Sequence, residues 1–125
     1  MADAHGDFVT RWADFWAAPD PARLGGLSAP DIVLRWPGRA EPIRGLESWS
    51  QQVAGALARF PDLRLEVVAD AGNRSVSFIA WRAGATVEGR PVQWEGVDRM
   101  ELRDGLVVDS TVVFDTAALR AAATE

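Results

Sequence analysis

The chain has 125 residues, 48% hydrophobic and 25% charged, the composition of an ordinary folded domain rather than a disordered segment. A formal net charge of −5 argues against broad binding to nucleic-acid backbones and gives no attraction to anionic membranes. Cysteine is absent, which excludes disulfides, thiolate metal sites and thiol nucleophiles.

The single histidine, His5, falls in the polar stretch of residues 1–6, which reads as a flexible tail on a single domain covering residues 1–125. Serine–histidine triads and histidine-rich metal sites are therefore not expected. No segment approaches the ~20 apolar residues that span a bilayer. No basic region followed by an apolar stretch opens the sequence, so a cytoplasmic location is expected.

Phe8, Trp12, Phe15 and Trp16 recur at the spacing of an amphipathic helix, which Pro19 ends. Asp20 followed by Pro21 predicts a cap and first turn of a short second helix, stopped by Gly25 and Gly26. Residues 32–36 predict the first strand, cut by Pro37 and Gly38. Leu46, Trp49, Val53, Ala56, Leu57 and Phe60 then predict the main helix, ending before Pro61. From Leu63 the period becomes two, with a turn at Gly72 and Asn73. Residues 75–87, 92–102 and 106–114 predict three further strands, and residues 116–122 a last short helix. This order is α+β, with helices on one face of a mostly antiparallel sheet.

Turn chemistry predicts which residues share a face. A two-residue turn at Gly89 and Arg90 sets Trp81 opposite Asp98, Ala83 opposite Gly96 and Ala85 opposite Trp94. The next turn has two readings. A two-residue loop at Asp104 and Gly105 puts Asp109 on the face of Asp98. A three-residue loop at Arg103, Asp104 and Gly105 instead puts Met100, Leu102, Leu106, Val108, Ser110, Val112 and Phe114 there. The second segregates polarity better and is taken. Arg35, Arg82 and Arg99 then share the outer face with the apolar Val97, Val107 and Val113, a surface suited to a homodimer.

On the inner face one carboxylate, Asp98, stands among Trp81, Trp94, Met100, Ser110, Val112 and Phe114. Ala83, Ala85 and Gly96 leave concave space between the large rings. Burying a lone charge is costly, so such a carboxyl finds donors or shifts its pKa upward. Kept neutral, it can donate to a developing oxyanion; ionised, it can act as a general base.

These residues resemble the nuclear transport factor 2-like superfamily, which includes ketosteroid isomerases, limonene epoxide hydrolases and SnoaL-like polyketide cyclases. The resemblance runs from Phe8 to about Leu119. It is carried by residues 95–108, from Glu95 through Asp98 and Met100 to Val108, and by Val113 to Asp115. Residues 9–12, 36–45 and 60–63 support it. It implies a curved, mostly antiparallel sheet wrapped around three helices from the N-terminal half, cone-shaped with an apolar pocket.

The resemblance also places residues. Asp98 matches the oxyanion-hole aspartic acid of the isomerases and a functional histidine of the cyclases. Trp12 stands where the isomerases carry a tyrosine donor, and Trp36 where they carry the general-base aspartate. Val53 replaces a second pocket tyrosine, and Val112 a catalytic aspartate of cyclases and epoxide hydrolases. The chain thus departs from each catalytic set at the proton-transfer position.

The reading taken is a cofactor-independent acid/base enzyme on a small apolar carbonyl, polyketide or terpenoid-like molecule. Asp98 is its catalytic candidate, and Trp12, Trp16, Trp36, Val53, Trp81, Trp94, Met100, Ser110, Val112 and Phe114 form the pocket. No metal or organic cofactor is implied. The rivals are a non-catalytic small-molecule-binding domain and an interaction domain that uses the outer sheet face.

Overall fold

Asp3 accepts a hydrogen bond from the His5 backbone N–H, and this cap opens helix α1, Ala4–Ala17. The computed structural model describes residues 3–114. After α1 come a 3₁₀ helix (Pro21–Gly26), β1 (Ser28–Arg35), β2 (Ile43–Arg44) and α2 (Leu46–Arg59). Four strands follow: β3 (Arg64–Gly72), β4 (Val76–Val87), β5 (Arg90–Arg103) and β6 (Leu106–Phe114). The helix expected at residues 116–122 lies outside the described residues.

Helix α1 begins inside the stretch read as a flexible tail. His5 is buried, and its Nε2 lies 2.9 Å from Asp70 Oδ1 on β3. A polar first turn looks like a tail in sequence. The long-range partner 65 positions away ties it down.

The six strands form one sheet in the order β2-β1-β6-β5-β4-β3. All neighbours are antiparallel except β1 and β6, which run parallel, so the sheet is mixed. β1 starts four residues earlier than the sequence suggests. β2 is a two-residue bridge against Val33 and Leu34, too short to leave a periodic signal. Register irregularities interrupt the β1–β6, β3–β4 and β5–β6 pairings, and such irregularities bend a sheet.

The helices cover one face. Phe8, Trp12, Phe15 and Trp16 bury the apolar stripe of α1, which packs on β3, while Trp49 and Val53 anchor α2 over β1. The other face carries ion pairs, including both Arg35 Nη1 contacts to Asp109 (2.8 and 2.9 Å) and Arg82 to Glu66 at 3.1 Å. It also carries the exposed Phe78, Val97 and Val113.

Both hairpin registers differ from the sequence expectation. The β4–β5 turn is Glu88–Gly89, with φ of 52° and 77°, the double positive φ that a type I′ turn requires. Trp81 therefore faces Gly96, Ala83 faces Trp94, and Asp98 faces Ile79. Each pairing slides by two residues, and because side chains alternate with period two, every residue keeps its expected face.

The β5–β6 turn is the two-residue Asp104–Gly105 loop, again with both φ positive (54° and 78°). A register shift after Glu101 then leaves Val108 unpaired in β6, since Glu101 faces Asp109 while Leu102 faces Val107. This bulge restores the face expected for Ser110, Val112 and Phe114. It turns Val107 inward, where it is buried, in place of Leu106 and Val108. Val107 therefore does not belong to the outer face.

Candidate active site

The inward row of β5 reads Trp94, Gly96, Asp98 and Met100, and the facing positions of β6 supply Phe114, Val112 and Ser110. Asp98 is held between Trp81 on β4 and Trp12 on α1. The Trp81 indole Nε1–H donates to Asp98 Oδ1 at 3.0 Å, and Trp12 adds a second hydrogen-bonding contribution. Burial pushes the Asp98 pKa up to about 6, and the Trp81 and Trp12 hydrogen bonds oppose that rise without cancelling it. Desolvation wins because the two donors are neutral indoles; a partnering cation would have shifted the balance the other way.

Gly96 makes the Trp81 contact sterically possible. A Cβ at this position would lie 2.5 Å from Trp81 Cζ2 and 2.7 Å from Cη2. The indole therefore lies directly over Gly96 and reaches along the strand to the neighbouring inward residue, Asp98.

These groups border a cavity of about 170 Å³ between the sheet and the helices. Asp98, Trp12, Trp16, Trp36, Val53, Trp81, Trp94, Met100, Ser110, Val112 and Phe114 all line it. The rings form a chain of contacts around it, with centroids 6.1 Å apart for Trp12–Trp16, 6.5 Å for Trp16–Trp49 and 5.9 Å for Trp49–Trp36. Trp36–Phe114 (6.1 Å) and Phe114–Trp81 (5.8 Å) continue it. Asp98, bonded to Trp81 and sharing the cavity wall with Trp12, closes the belt.

Several lining residues were not singled out from sequence: Trp49, Gln52, Ala56 and Phe60 on or just after α2, Leu24 and Leu27 near the 3₁₀ helix, and Val107. The α2 group was legible in principle, since Trp49, Val53, Ala56 and Phe60 repeat on one helical face. Val107 was hidden by the bulge. Asp98 is the only ionisable group among the described lining residues; Ser28, Gln52 and Ser110 are the remaining polar side chains.

The mixed, mostly antiparallel sheet with helices over one face is the architecture of the nuclear transport factor 2-like class of proteins. Within it, the chain belongs to the SnoaL-like domain family, whose model matches residues 9–110. Among solved structures it is similar to IdmH from Streptomyces antibioticus, described as a candidate polyketide cyclase. That match has 22% identity and a TM-score of 0.83, covering 96% of this chain and 98% of IdmH. A Catenulispora acidiphila protein with a ketosteroid isomerase-like fold, in complex with trimethylamine, matches at 18% identity and TM-score 0.83, covering 94% and 92% of the two chains. TerC, co-crystallised with polyporic acid, matches at 15% identity and TM-score 0.83, covering 98% and 99%. At these identities the likeness establishes the fold. No curated protein matches the chain. No helix among the described residues is long and apolar enough to cross a membrane.

Proposed function

We propose that the protein is an acid/base enzyme, of isomerase, cyclase or hydrolase/lyase type, acting without a cofactor on a small apolar carbonyl, polyketide or terpenoid-like molecule. One observation carries this reading: the only ionisable group among the described lining residues is a carboxyl with its pKa raised to about 6. Such a group is present in both protonation states near neutral pH, where general acid/base catalysis is most effective. Protonated Asp98 donates to the oxygen of an enolising carbonyl, and the carboxylate accepts a proton from the adjacent carbon. The rings of Trp12, Trp36, Trp81 and Phe114 supply apolar contact that holds the substrate and excludes water. A cavity of about 170 Å³ suits a ligand of roughly single-ring size, since a dry cavity of ~150 Å³ accommodates benzene. Solved relatives with trimethylamine and polyporic acid support a small-molecule ligand.

The test needs no knowledge of the natural substrate. Wild-type protein is expected to accelerate exchange of the α-hydrogens of cyclohexanone in D₂O, followed by NMR. Asp98→Asn is expected to lower that acceleration by ~10²–10³. Equal rates for the two proteins remove Asp98 from the chemistry.

A second reading is a non-catalytic small-molecule-binding domain. Val112 and Trp36 favour it, because the family resemblance puts them at positions where it implies a second acid/base group. In that case cyclohexanone quenches tryptophan fluorescence while its α-hydrogens exchange no faster than in buffer.

We further propose a homodimer through the outer sheet face. Val113, Val97 and Ala80 sit in one row across three strands, with Val113 63% and Val97 40% exposed. Sedimentation is expected to give a dimer for wild type and a monomer for Val113→Asp.

A further inference from the structure

A carboxylate set in a half-buried, mostly apolar wall gains from a positive partner, and the described residues that line the cavity beside Asp98 provide none. α1 contributes Trp12 and Trp16 to the cavity wall; α2 and its C-terminal neighbour contribute Trp49, Gln52, Val53, Ala56 and Phe60. The 3₁₀ helix and the loop after it contribute leucines, β1 contributes Ser28, Ile32 and Leu34, and β3 and β4 contribute leucine and tryptophan. β5 and β6 add only Trp94, Met100 and uncharged residues of β6. Among the described lining residues there is no arginine, lysine or histidine, although the chain carries thirteen arginines and one histidine elsewhere.

The same wall carries all six tryptophans of the chain: Trp12, Trp16, Trp36, Trp49, Trp81 and Trp94. Indole is the best aromatic partner for an organic cation, through the negative potential of its ring face, and the attraction grows when the cation is desolvated. An inorganic cation is a poor fit. Hard metal ions demand about six or more oxygen ligands, and the described wall offers one carboxylate, one amide and two hydroxyls. A bulky, weakly hydrated ammonium needs just one counter-charge and a ring-lined wall.

We infer that the cavity binds small tertiary or quaternary ammonium compounds, with the Asp98 carboxylate as counter-ion and the indole belt as the cation-binding wall. This inference rests on the cavity being a ligand site, and it adds a charged ligand class to the neutral one proposed above. The two classes demand opposite states of Asp98. A neutral carbonyl uses the protonated acid as a donor; an ammonium uses the carboxylate. With the pKa near 6, ammonium binding strengthens as pH rises through that value, and binding of a neutral acceptor does not.

The full-length protein tests this with choline and its uncharged isostere 3,3-dimethylbutan-1-ol, with cyclohexanone as the neutral carbonyl probe, by tryptophan fluorescence and calorimetry. Choline affinity is expected to rise by nearly tenfold per pH unit below about pH 6 and to level off above it. At about pH 7.5 choline is expected to bind at least ~10-fold more tightly than the isostere, a preference that Asp98→Asn removes. The wild-type comparison of isosteres stands even where the variant is unstable. Equal binding of choline and its isostere overturns the inference, as does choline affinity that is flat across pH 6. Cyclohexanone binding without choline binding sinks the ammonium site alone. Failure of all three probes sinks the ligand-site reading with it.

Discussion

Trp81 Nε1 lies 3.0 Å from Asp98 Oδ1, yet the two residues are not opposite each other in the sheet: Trp81 faces Gly96 and Asp98 faces Ile79. The bond runs diagonally across the hairpin, over a position where the side chain is a single hydrogen. Both the electrostatics of the carboxyl and the shape of the cavity depend on that diagonal.

Raising the Asp98 pKa has a cost that pH exposes. The folded-state value, about 6, exceeds the ordinary 3.8, so the folded protein binds more protons than the unfolded chain between these values. Asp98 therefore favours folding most below about pH 4, and that contribution is lost as pH rises through 6, by at most ~3 kcal/mol. Urea titrations between about pH 4 and 8 are expected to show this decline in wild type but not in Asp98→Asn, with the variant the more stable protein above pH 6.

Trp81→Phe keeps a ring in the wall and removes the donor. The Trp81 bond is the larger of the two influences holding the Asp98 pKa down, so its loss is expected to move the value above 6. Carboxyl NMR of Asp98 reads the shift directly. An unchanged value would mean that the indole N–H contributes nothing to the charged form.

Gly96→Ala is expected to displace the Trp81 ring, because the added methyl carbon would lie 2.5 Å from Cζ2 and also 2.7 Å from the Val113 carbonyl oxygen. Overpacking of this kind costs ~1–3 kcal/mol. The melting temperature should fall, and near-ultraviolet circular dichroism should report the changed indole environment. An unaltered spectrum and melting temperature would show that Trp81 does not need the gap.

The His5–Asp70 contact fastens the first turn of α1 to β3. The Asp70 side chain is 38% exposed, so the pair is expected to contribute no more than ~1 kcal/mol. A double-mutant cycle with His5→Ala and Asp70→Ala measures the coupling by urea unfolding. Hydrogen exchange at the N-terminal turn of α1 is expected to quicken in either variant. Zero coupling would reduce the contact to a coincidence of packing.

Face assignments were legible from local pattern because they depend on alternation with period two. Trp81, Asp98 and Val112 point inward in any register that differs by an even number of residues, so a misplaced turn at Gly89 left the inner face intact. The helical stripe from Phe8 to Trp16 was legible for the same reason: periodicity is local. What local pattern does not encode is contact between residues far apart in the chain. The tether of His5 to Asp70, the parallel seating of β1 on β6 and the inward turn of Val107 all required the assembled sheet. So did the raised pKa of Asp98. Desolvation depends on everything that surrounds a carboxyl at once, and here the surroundings come from helices and strands separated by most of the chain length.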